Sequence, residues 1–482
     1  MQAKKHQTTT GNRIYQSTLG YLRITLTLFL TGTCLTASAF DKPNLLLIYV
    51  DDLGLGDLGH TGHPVIKTPN LDALAGSGLT LSNYYAPSAL CSPSRAALLT
   101  GRQPYRTGIQ SWIPANSGIF LREEELTLAE LLRDAGYQTA LIGKWHLNSD
   151  LGSSSEPQPN DQGFTYFYGH NAFQIPTNKN PTNLYRNRQA LAMQHGYTAQ
   201  LYADEAIQWL NKRRSKQPFF LMLSMAEPHT SIENPDEYNA LYAQYTQGPI
   251  VPIPSGGKNI PKSALTPRGP GEYYANITYM DAQIGKVLDE MDKTGLRNNT
   301  IVVFASDNGP VTERWINWWE VNAYGSTNGL KGRKHFLSEG GLRVPAIIRY
   351  PGVLPAGKSS DALVIGTDWF ATLLAYSAVS VPDDRPIDSR NIAAVLAQAA
   401  VQQERTFHWA LPTPDGFDYA IRKGNWKLLI NNQKESAALY NLNEDPLELF
   451  NLLESHPDKV SNLNKRHQQN LTDIARDPLR PR

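Results

Sequence analysis

The residues most able to do chemistry surround Cys91, in the run Leu90-Cys91-Ser92-Pro93-Ser94-Arg95-Ala96-Ala97-Leu98-Leu99-Thr100-Gly101-Arg102. Ser92 suits a helix N-cap and Pro93 a first helical position, so a helix is predicted from Pro93 onward. Cys91 then lies just ahead of a helix N-terminus, where unpaired N–H groups and the helix dipole favour an anion. Arg95 follows about one turn later. A reactive side chain, a helix start and a guanidinium together suit a tetrahedral oxyanion. Two acid-rich tips could join them. The apolar run Asn44–Val50 stops at Asp51-Asp52, and Thr300–Ala305 stops at Ser306-Asp307-Asn308. Asp51, Asp52, Asp307 and Asn308 offer an all-oxygen cluster for a hard cation, Ca²⁺ or Mg²⁺. No histidine or second cysteine accompanies them, which argues against zinc. Taken alone, each pair also fits turn chemistry; the Cys91 run shifts the reading toward a metal.

Cations recur after other predicted strands. Lys144 and His146 close Thr139–His146, and two residues apart in an extended segment they project to one face. His229 follows the strand Pro218–Met225 through Ala226-Glu227-Pro228. Lys334 opens Lys334-His335-Phe336-Leu337-Ser338-Glu339-Gly340-Gly341, ahead of the strand Val344–Arg349.

A direct thiolate nucleophile, as in cysteine phosphatases, needs a longer loop between Cys and Arg than the three residues present here, and the sixth residue after the cysteine is Ala97. A lone cysteine is most often a small buried hydrophobe; if its chemistry is used, modification is the other option. Cys-x-Pro-Ser-Arg followed by Ala-Ala-Leu-Leu-Thr-Gly-Arg resembles the signature of the formylglycine-dependent sulfatases of the alkaline-phosphatase superfamily. The Asp-Asp and Asp-Asn pairs, Gly-Lys-Trp-His at 143–146, the Pro-His at 228–229 and the block ending Glu-Gly-Gly are similar to that family's pattern as well.

The resemblance implies that a separate maturation enzyme oxidises Cys91 to formylglycine, whose hydrate is the nucleophile. It implies one divalent cation, Ca²⁺ or Mg²⁺, held by Asp51, Asp52, the modified Cys91, Asp307 and Asn308. The implied catalytic set is Cys91, Arg95, Lys144, His146, His229, Asp307 and Lys334. Lys331 competes with Lys334, and the offset of five residues from Glu339 favours Lys334. In the implied mechanism one hydroxyl of the hydrate attacks sulfur and Asp307 takes its proton. His229 protonates the departing sugar oxygen, and His146 draws the proton from the second hydroxyl as sulfate leaves. Fixed charge on Arg95, Lys144 and Lys334 would stabilise the sulfuryl oxygens.

For the substrate, His170 and Asn171 are candidate pocket residues. Trp315, Trp318 and Trp319 could stack on sugar faces, or pack within their own loop. A sulfated carbohydrate is expected, either algal polysaccharide or glycosaminoglycan fragments. Small aryl sulfates, a phosphoester or phosphonate substrate, and a non-catalytic glycan-binding role are the alternatives.

Composition sets the frame for these residues. The chain has 482 residues, 41% of them hydrophobic, with 45 basic against 44 acidic side chains. That balance excludes a disordered chain and gives no basic excess for nucleic acid. Residues 1–39 combine Lys4, Lys5, Arg13 and Arg23, a short apolar middle and Ala37-Ser38-Ala39, the pattern of a secretory signal peptide. Removing them takes away four cations, no anions and one of the two cysteines, which moves the formal charge from +1 to −3. No other stretch is apolar enough to span a bilayer, so an exported protein, periplasmic or secreted and without a stable span, is expected.

Continuous apolar strands alternating with helices predict an α/β fold with a mostly parallel central sheet between helices. Helices are expected at Leu126–Gly136, Tyr197–Arg213 and Tyr273–Lys293, the last presenting Ile277, Met280, Ile284, Val287 and Met291 to the sheet. A surface insertion is expected at Gln247–Gly271. The predicted domains are a catalytic domain over 40–365 and a smaller α+β domain over 366–482, with strands near Tyr419 and Trp426 and a closing helix at Pro457–Ala475. The resemblance implies an alkaline-phosphatase-like fold.

Overall fold

A computed structural model describes residues 42–213, 217–246, 269–311, 324–398, 404–432 and 436–481, and the backbone alone at 250–252 and 265–267. The expected leader and Trp315, Trp318 and Trp319 lie outside the described residues, as does most of the expected insertion. The two short backbone segments of the insertion pair antiparallel.

Five parallel strands form the centre of a ten-stranded sheet, in the spatial order Thr300–Ser306, Asn44–Val50, Phe219–Ser224, Gln138–Lys144, Tyr166–His170. Ala346–Arg349 continues the sheet antiparallel on one side and Tyr185–Arg186 on the other. The expected mixed, mostly parallel sheet is present. The continuous apolar runs follow from its two covered faces. Along Asn44–Val50, Leu45, Leu47 and Tyr49 enter one core with helices Cys91–Thr100, Leu128–Asp134 and Asp368–Tyr376. Leu46, Ile48 and Val50 enter the opposite core with helices Thr198–Lys212 and Pro270–Lys293. Ile277, Met280, Ile284, Val287 and Met291 all belong to that second core, as their spacing predicts.

Several boundaries differ from the expected ones. The long helix begins at Pro270, three residues before Tyr273, because proline fits the first turn and Gly269 precedes it in an extended conformation. The last residues assigned to the insertion are therefore helical. The strand expected to run to His146 ends at Lys144. The strand expected from Val344 begins at Ala346, after Pro345.

A second sheet of four antiparallel strands comprises Thr406–Ala410, Tyr419–Lys423, Trp426–Asn431 and Ser436–Asn441. The helix Pro457–Ala475 covers one face, where Leu463 meets Ile421, Leu428 and Leu439. The other face packs Phe407, Trp409, Leu429 and Tyr440 against Tyr85, Leu90, Leu337 and Leu342. This sheet thus leans on the residue before Cys91 and on the segment that follows Lys334.

A buried ionic knot fastens that contact. The Lys427 ammonium lies 2.9 Å from Glu339 and 2.9 Å from Glu448, and Tyr85 donates to Glu339 at 2.5 Å. Removing one partner strands charge in a dry interior, which is far costlier than losing a surface pair. Lys427→Met is accordingly expected to destabilise the protein by about 3–5 kcal/mol. A urea unfolding midpoint within error of the parent protein would contradict this.

Candidate active site

The C-terminal ends of the five parallel strands are level, with Val50 opposite Ser306, Tyr49 and Gly143 opposite Ser224, and Lys144 opposite His170. Site residues far apart in sequence therefore emerge along one edge, as the α/β topology favours. The two acid-rich tips are tied directly together. The Asp307 N–H donates to the Val50 carbonyl at 3.0 Å, the Asp52 N–H to Asp307 Oδ1 at 3.2 Å, and Asn308 Nδ2 to Asp52 Oδ1 at 2.6 Å. Asp52 has φ of 67°, which turns the chain sharply after the strand.

The helix beside them starts at Cys91, not at Pro93. Leu90 is extended and its carbonyl accepts the Ser94 N–H at 3.2 Å, so Leu90 is the N-cap. Ser92 does not cap; its hydroxyl accepts the Ile113 N–H at 3.2 Å. Ser94 exchanges hydrogen bonds with the Ser88 backbone at 3.0 and 2.9 Å, which folds the preceding loop onto the helix. No side chain caps this helix. All ten of its residues are buried. Ala96 and Ala97 make that possible, because small side chains let sheet and neighbouring helices approach.

Cys91, Asp51 and Asp307 each offer a ligand atom, and these atoms all lie within 4.8 Å of one another. Burial pushes the Cys91 thiol up to about 12, against the pull of Lys144 and Lys334. Burial, then Asp51, pushes Asp307 up to about 7 against Arg95. Burial also acts on Asp51, but Lys144, His229 and Arg95 outweigh it and hold that carboxyl well below its usual range.

Each cation hydrogen-bonds one carboxylate, and Arg95 also lies 3.9 Å from Asp51 Oδ1. Arg95 donates to Asp307 Oδ2 at 2.7 and 3.1 Å and to the Ser224 hydroxyl at 2.6 Å. Lys144 Nζ reaches Asp51 at 2.5 Å, and Lys334 Nζ reaches Asp52 at 2.6 Å. Lys331 points elsewhere, to the Glu448 carbonyl at 3.1 Å and the Tyr440 ring.

His146 is in the cluster, although not by the extended geometry expected: with φ of 56° it turns off the strand end. Its Nε2 meets the Ile113 carbonyl at 3.1 Å, while its buried Nδ1 has no hydrogen-bond partner. A carbonyl only accepts, so Nε2 carries the proton and Nδ1 of the neutral ring is a free acceptor. Burial, then Lys144 and Arg95, keeps that ring neutral. His229 Nδ1 meets the Thr230 carbonyl at 2.8 Å, which leaves Nε2 facing Asp52 Oδ2 at 3.8 Å.

Of the candidate pocket residues, His170 ends the strand beside Lys144, stacks on Tyr202 and bonds its hydroxyl at 2.6 Å; its Nε2 is buried without a partner. Asn171 donates to the Asn148 carbonyl at 2.8 Å, and its Oδ1 is buried without a hydrogen-bond partner. Sequence reasoning missed Ser224, which orients Arg95. A serine closing an apolar strand opposite the Lys144 strand is a signal that could have found it.

The donor set fits a hard divalent cation. Asp51 Oδ1, Asp52 Oδ2 and Asn308 Oδ1 are buried oxygens without a hydrogen-bond partner. Three such oxygens around one pit are costly to bury unless something positive takes them up.

Comparison with known proteins gives the family. Residues 43–379 match the family model "Sulfatase", and residues 332–477 match "N-sulphoglucosamine sulphohydrolase, C-terminal". The N-acetylgalactosamine-6-O-sulfatase of Bacteroides thetaiotaomicron is 28% identical over 505 aligned positions, covering 88% of this chain and 92% of that one. The crystal structure of Ps i-CgsB in complex with k-i-k-neocarrahexaose superposes with a TM-score of 0.75 at 27% identity, covering 89% of this chain and 92% of that one. A phosphonate monoester hydrolase of Agrobacterium radiobacter shares the fold, with a TM-score of 0.63 at 20% identity over 89% of this chain and 95% of that one.

If the pit takes a cation, chelation should lower the thermal unfolding midpoint by roughly 3 °C or more, and added Ca²⁺ or Mg²⁺ should restore it. Asn308→Ala, which removes an oxygen without unbalancing charge, should shrink that response. A midpoint indifferent to chelator and to both ions would contradict the fit.

Proposed function

The chain belongs to the sulfatase family, and we propose that it is an exported enzyme that removes sulfate from a carbohydrate after Cys91 has been converted to formylglycine by a separate maturation enzyme. The observation that carries this reading is the convergence of Cys91 with Asp51 and Asp307 inside a ring of three buried cations. Export is supported by the leader pattern of residues 1–39; among the described residues no helix is long and apolar enough to cross a membrane.

The formylglycine hydrate supplies a nucleophilic hydroxyl together with a second hydroxyl for later release, and a Ca²⁺ or Mg²⁺ ion held by Asp51, Asp52, Asp307 and Asn308 supplies positive charge. The chain's own groups do the rest. Arg95 is locked by Asp307 and Ser224, so its guanidinium is a fixed charge that needs no reorganisation as the sulfuryl group changes shape. Lys144 and Lys334 each use a donor on a carboxylate and keep donors for sulfuryl oxygens. Asp51 and Asp307 both lie within 4.8 Å of Cys91, and of the two only Asp307 has its basicity raised, which suits it to take the first proton. His229 presents Nε2 at the more open side, with 20% of its side chain exposed, where the sugar oxygen would depart. Donation there needs the imidazolium; burial, helped by Lys144 and Lys334, lowers the proton affinity of the ring below the usual imidazole range, and Asp51 and Asp52 offset part of that. His146 offers a bare Nδ1 inside the pit and can take the proton that frees sulfate.

A carbohydrate substrate is supported by relatives whose names specify sulfated sugars and by a neighbouring structure that holds an oligosaccharide. The tryptic peptide Thr68–Arg95 from enzyme made beside a maturation system should weigh about 18 Da less than its sequence mass, the difference between cysteine and formylglycine. Cys91→Ala should lose at least about 10³-fold in sulfate release while remaining folded. Substantial retained activity, or active enzyme with an intact thiol, would overturn the reading. Faster turnover of an aryl phosphate than of an aryl sulfate would move it to a phosphoester.

A further inference from the structure

On the rim of the pit runs Ile109–Phe120, a segment without a single charged side chain. Its anchor is Ile113. The Ile113 N–H donates to the hydroxyl of Ser92, next to Cys91, at 3.2 Å, and its carbonyl meets His146 Nε2 at 3.1 Å. Ile113 is buried, yet the adjacent Trp112 is 44% exposed. Downstream, the Asn116 N–H donates to the Ser149 carbonyl at 3.1 Å, the Gly118 N–H to the Ser149 hydroxyl at 3.0 Å, and the Leu121 N–H to the Leu147 carbonyl at 2.8 Å. The segment is therefore stitched to the chain that leaves His146, and that chain accepts Asn171 through the Asn148 carbonyl. Beyond Asn171 comes Phe173, 45% exposed.

Among the described residues the Trp112 indole meets no other ring and its N–H no acceptor. A large aromatic held in water on a fixed loop, one residue from groups that touch both the nucleophile's neighbour and a site histidine, has no packing purpose. An aromatic face suits the C–H face of a pyranose, and the neutral polar neighbours Gln110, Ser111 and Asn116 suit hydroxyl groups. An uncharged rim would not draw in a polyanion by field alone.

We propose that Trp112 is a stacking platform for the sugar ring adjoining the sulfated one, so that the substrate is an oligosaccharide or polysaccharide. Phe173 extends the same rim. This rests on the sulfatase reading and specifies its substrate.

The test uses mature, formylglycine-bearing enzyme with 4-nitrophenyl sulfate and a panel of sulfated galactan and glycosaminoglycan hexasaccharides with their sulfated monosaccharides. The parent enzyme should prefer one hexasaccharide over both its monosaccharide and the aryl sulfate. In Trp112→Ala the ratio of kcat/KM on that hexasaccharide to kcat/KM on aryl sulfate should fall about tenfold or more, mainly through KM, and Trp112→Phe should recover most of it. No preference for any hexasaccharide in the parent, or a ratio unmoved by Trp112→Ala, would overturn the proposal. If the parent releases sulfate from none of these compounds, the sulfatase reading fails and takes this inference with it. That outcome is distinguishable, because a wrong rim leaves aryl sulfate turnover in place.

Discussion

The arrangement depends on pairing buried charge. Asp307 takes Arg95, Asp51 takes Lys144 and Asp52 takes Lys334, all of them almost wholly shielded from water. An unpaired ion in such a place costs several kcal/mol, so each of these side chains fixes the position of another. The balance also limits the backbone. Lys144 reaches Asp51 only because the two strands end at the same level, one strand apart across Phe219–Ser224. Gly143 has φ of +119°, and a Cβ there would lie 1.8 Å from the Ser224 carbonyl oxygen. Glycine is required where the strand turns aside to present Lys144, and Ser224, at the point of contact, in turn orients Arg95.

The same pairing explains why so much of the C-terminal third faces the site from behind. Lys334 and Cys91 come from segments with no helix or strand in common. They are brought together by short backbone links, the His335 N–H to the Ala89 carbonyl at 3.0 Å and the Lys334 N–H to the Pro310 carbonyl at 2.9 Å. The antiparallel sheet backs both segments at once. Trp409 donates its indole N–H to the Ala86 carbonyl at 2.9 Å, and Lys427 holds Glu339, five residues after Lys334. Glu339 is therefore a structural acid. The two glycines that follow it are explained by space: Cβ atoms on Gly340 and Gly341 would fall 2.2 and 2.1 Å from the carbonyl oxygens of Gly332 and Phe336.

What could be read from sequence follows the range of the interactions. The strand ends bearing Asp51, Asp52, Asp307 and Asn308 are legible, because a strand buried on both faces is a continuous apolar run and the polar residues that end it stand out. The closing helix Pro457–Ala475 is legible for a similar local reason, with Pro457 at its start. The start of the Cys91 helix is not. Ser92-Pro93 satisfies every local rule for a cap, but the hydroxyl of Ser92 is claimed by Ile113, more than twenty residues away, and the cap moves back to Leu90. His146 shows the same limit: its place beside Lys144 is set by the Ile113 carbonyl and a left-handed turn, not by strand periodicity. Ser224 left only a faint signal, a serine closing an apolar strand, and the Trp112 rim left none, since only the fold shows what lies opposite them.

The two site histidines differ in a way that suits an ordered reaction. Each has one ring nitrogen bonded to a carbonyl, so the tautomer of each neutral ring is set by the backbone. His146 is 3% exposed and sees Lys144 and Arg95; both cations and its burial oppose a second proton on the ring, so it is built to receive a proton only when one is offered from within the pit. His229 borders water; burial lowers its proton affinity below the usual imidazole range and Asp51 and Asp52 offset part of that loss, so in the proposed reaction it would be recharged from solvent after giving a proton away. In the proposed mechanism a leaving sugar oxygen would need its proton at the open side, where the rest of the glycan would lie. In that mechanism the proton removal that frees sulfate would belong on the closed side, out of reach of bulk water. The rim that carries Trp112 is anchored through Ile113 to the closed-side histidine, so contact with a neighbouring sugar and the set of His146 share one hydrogen-bonded residue.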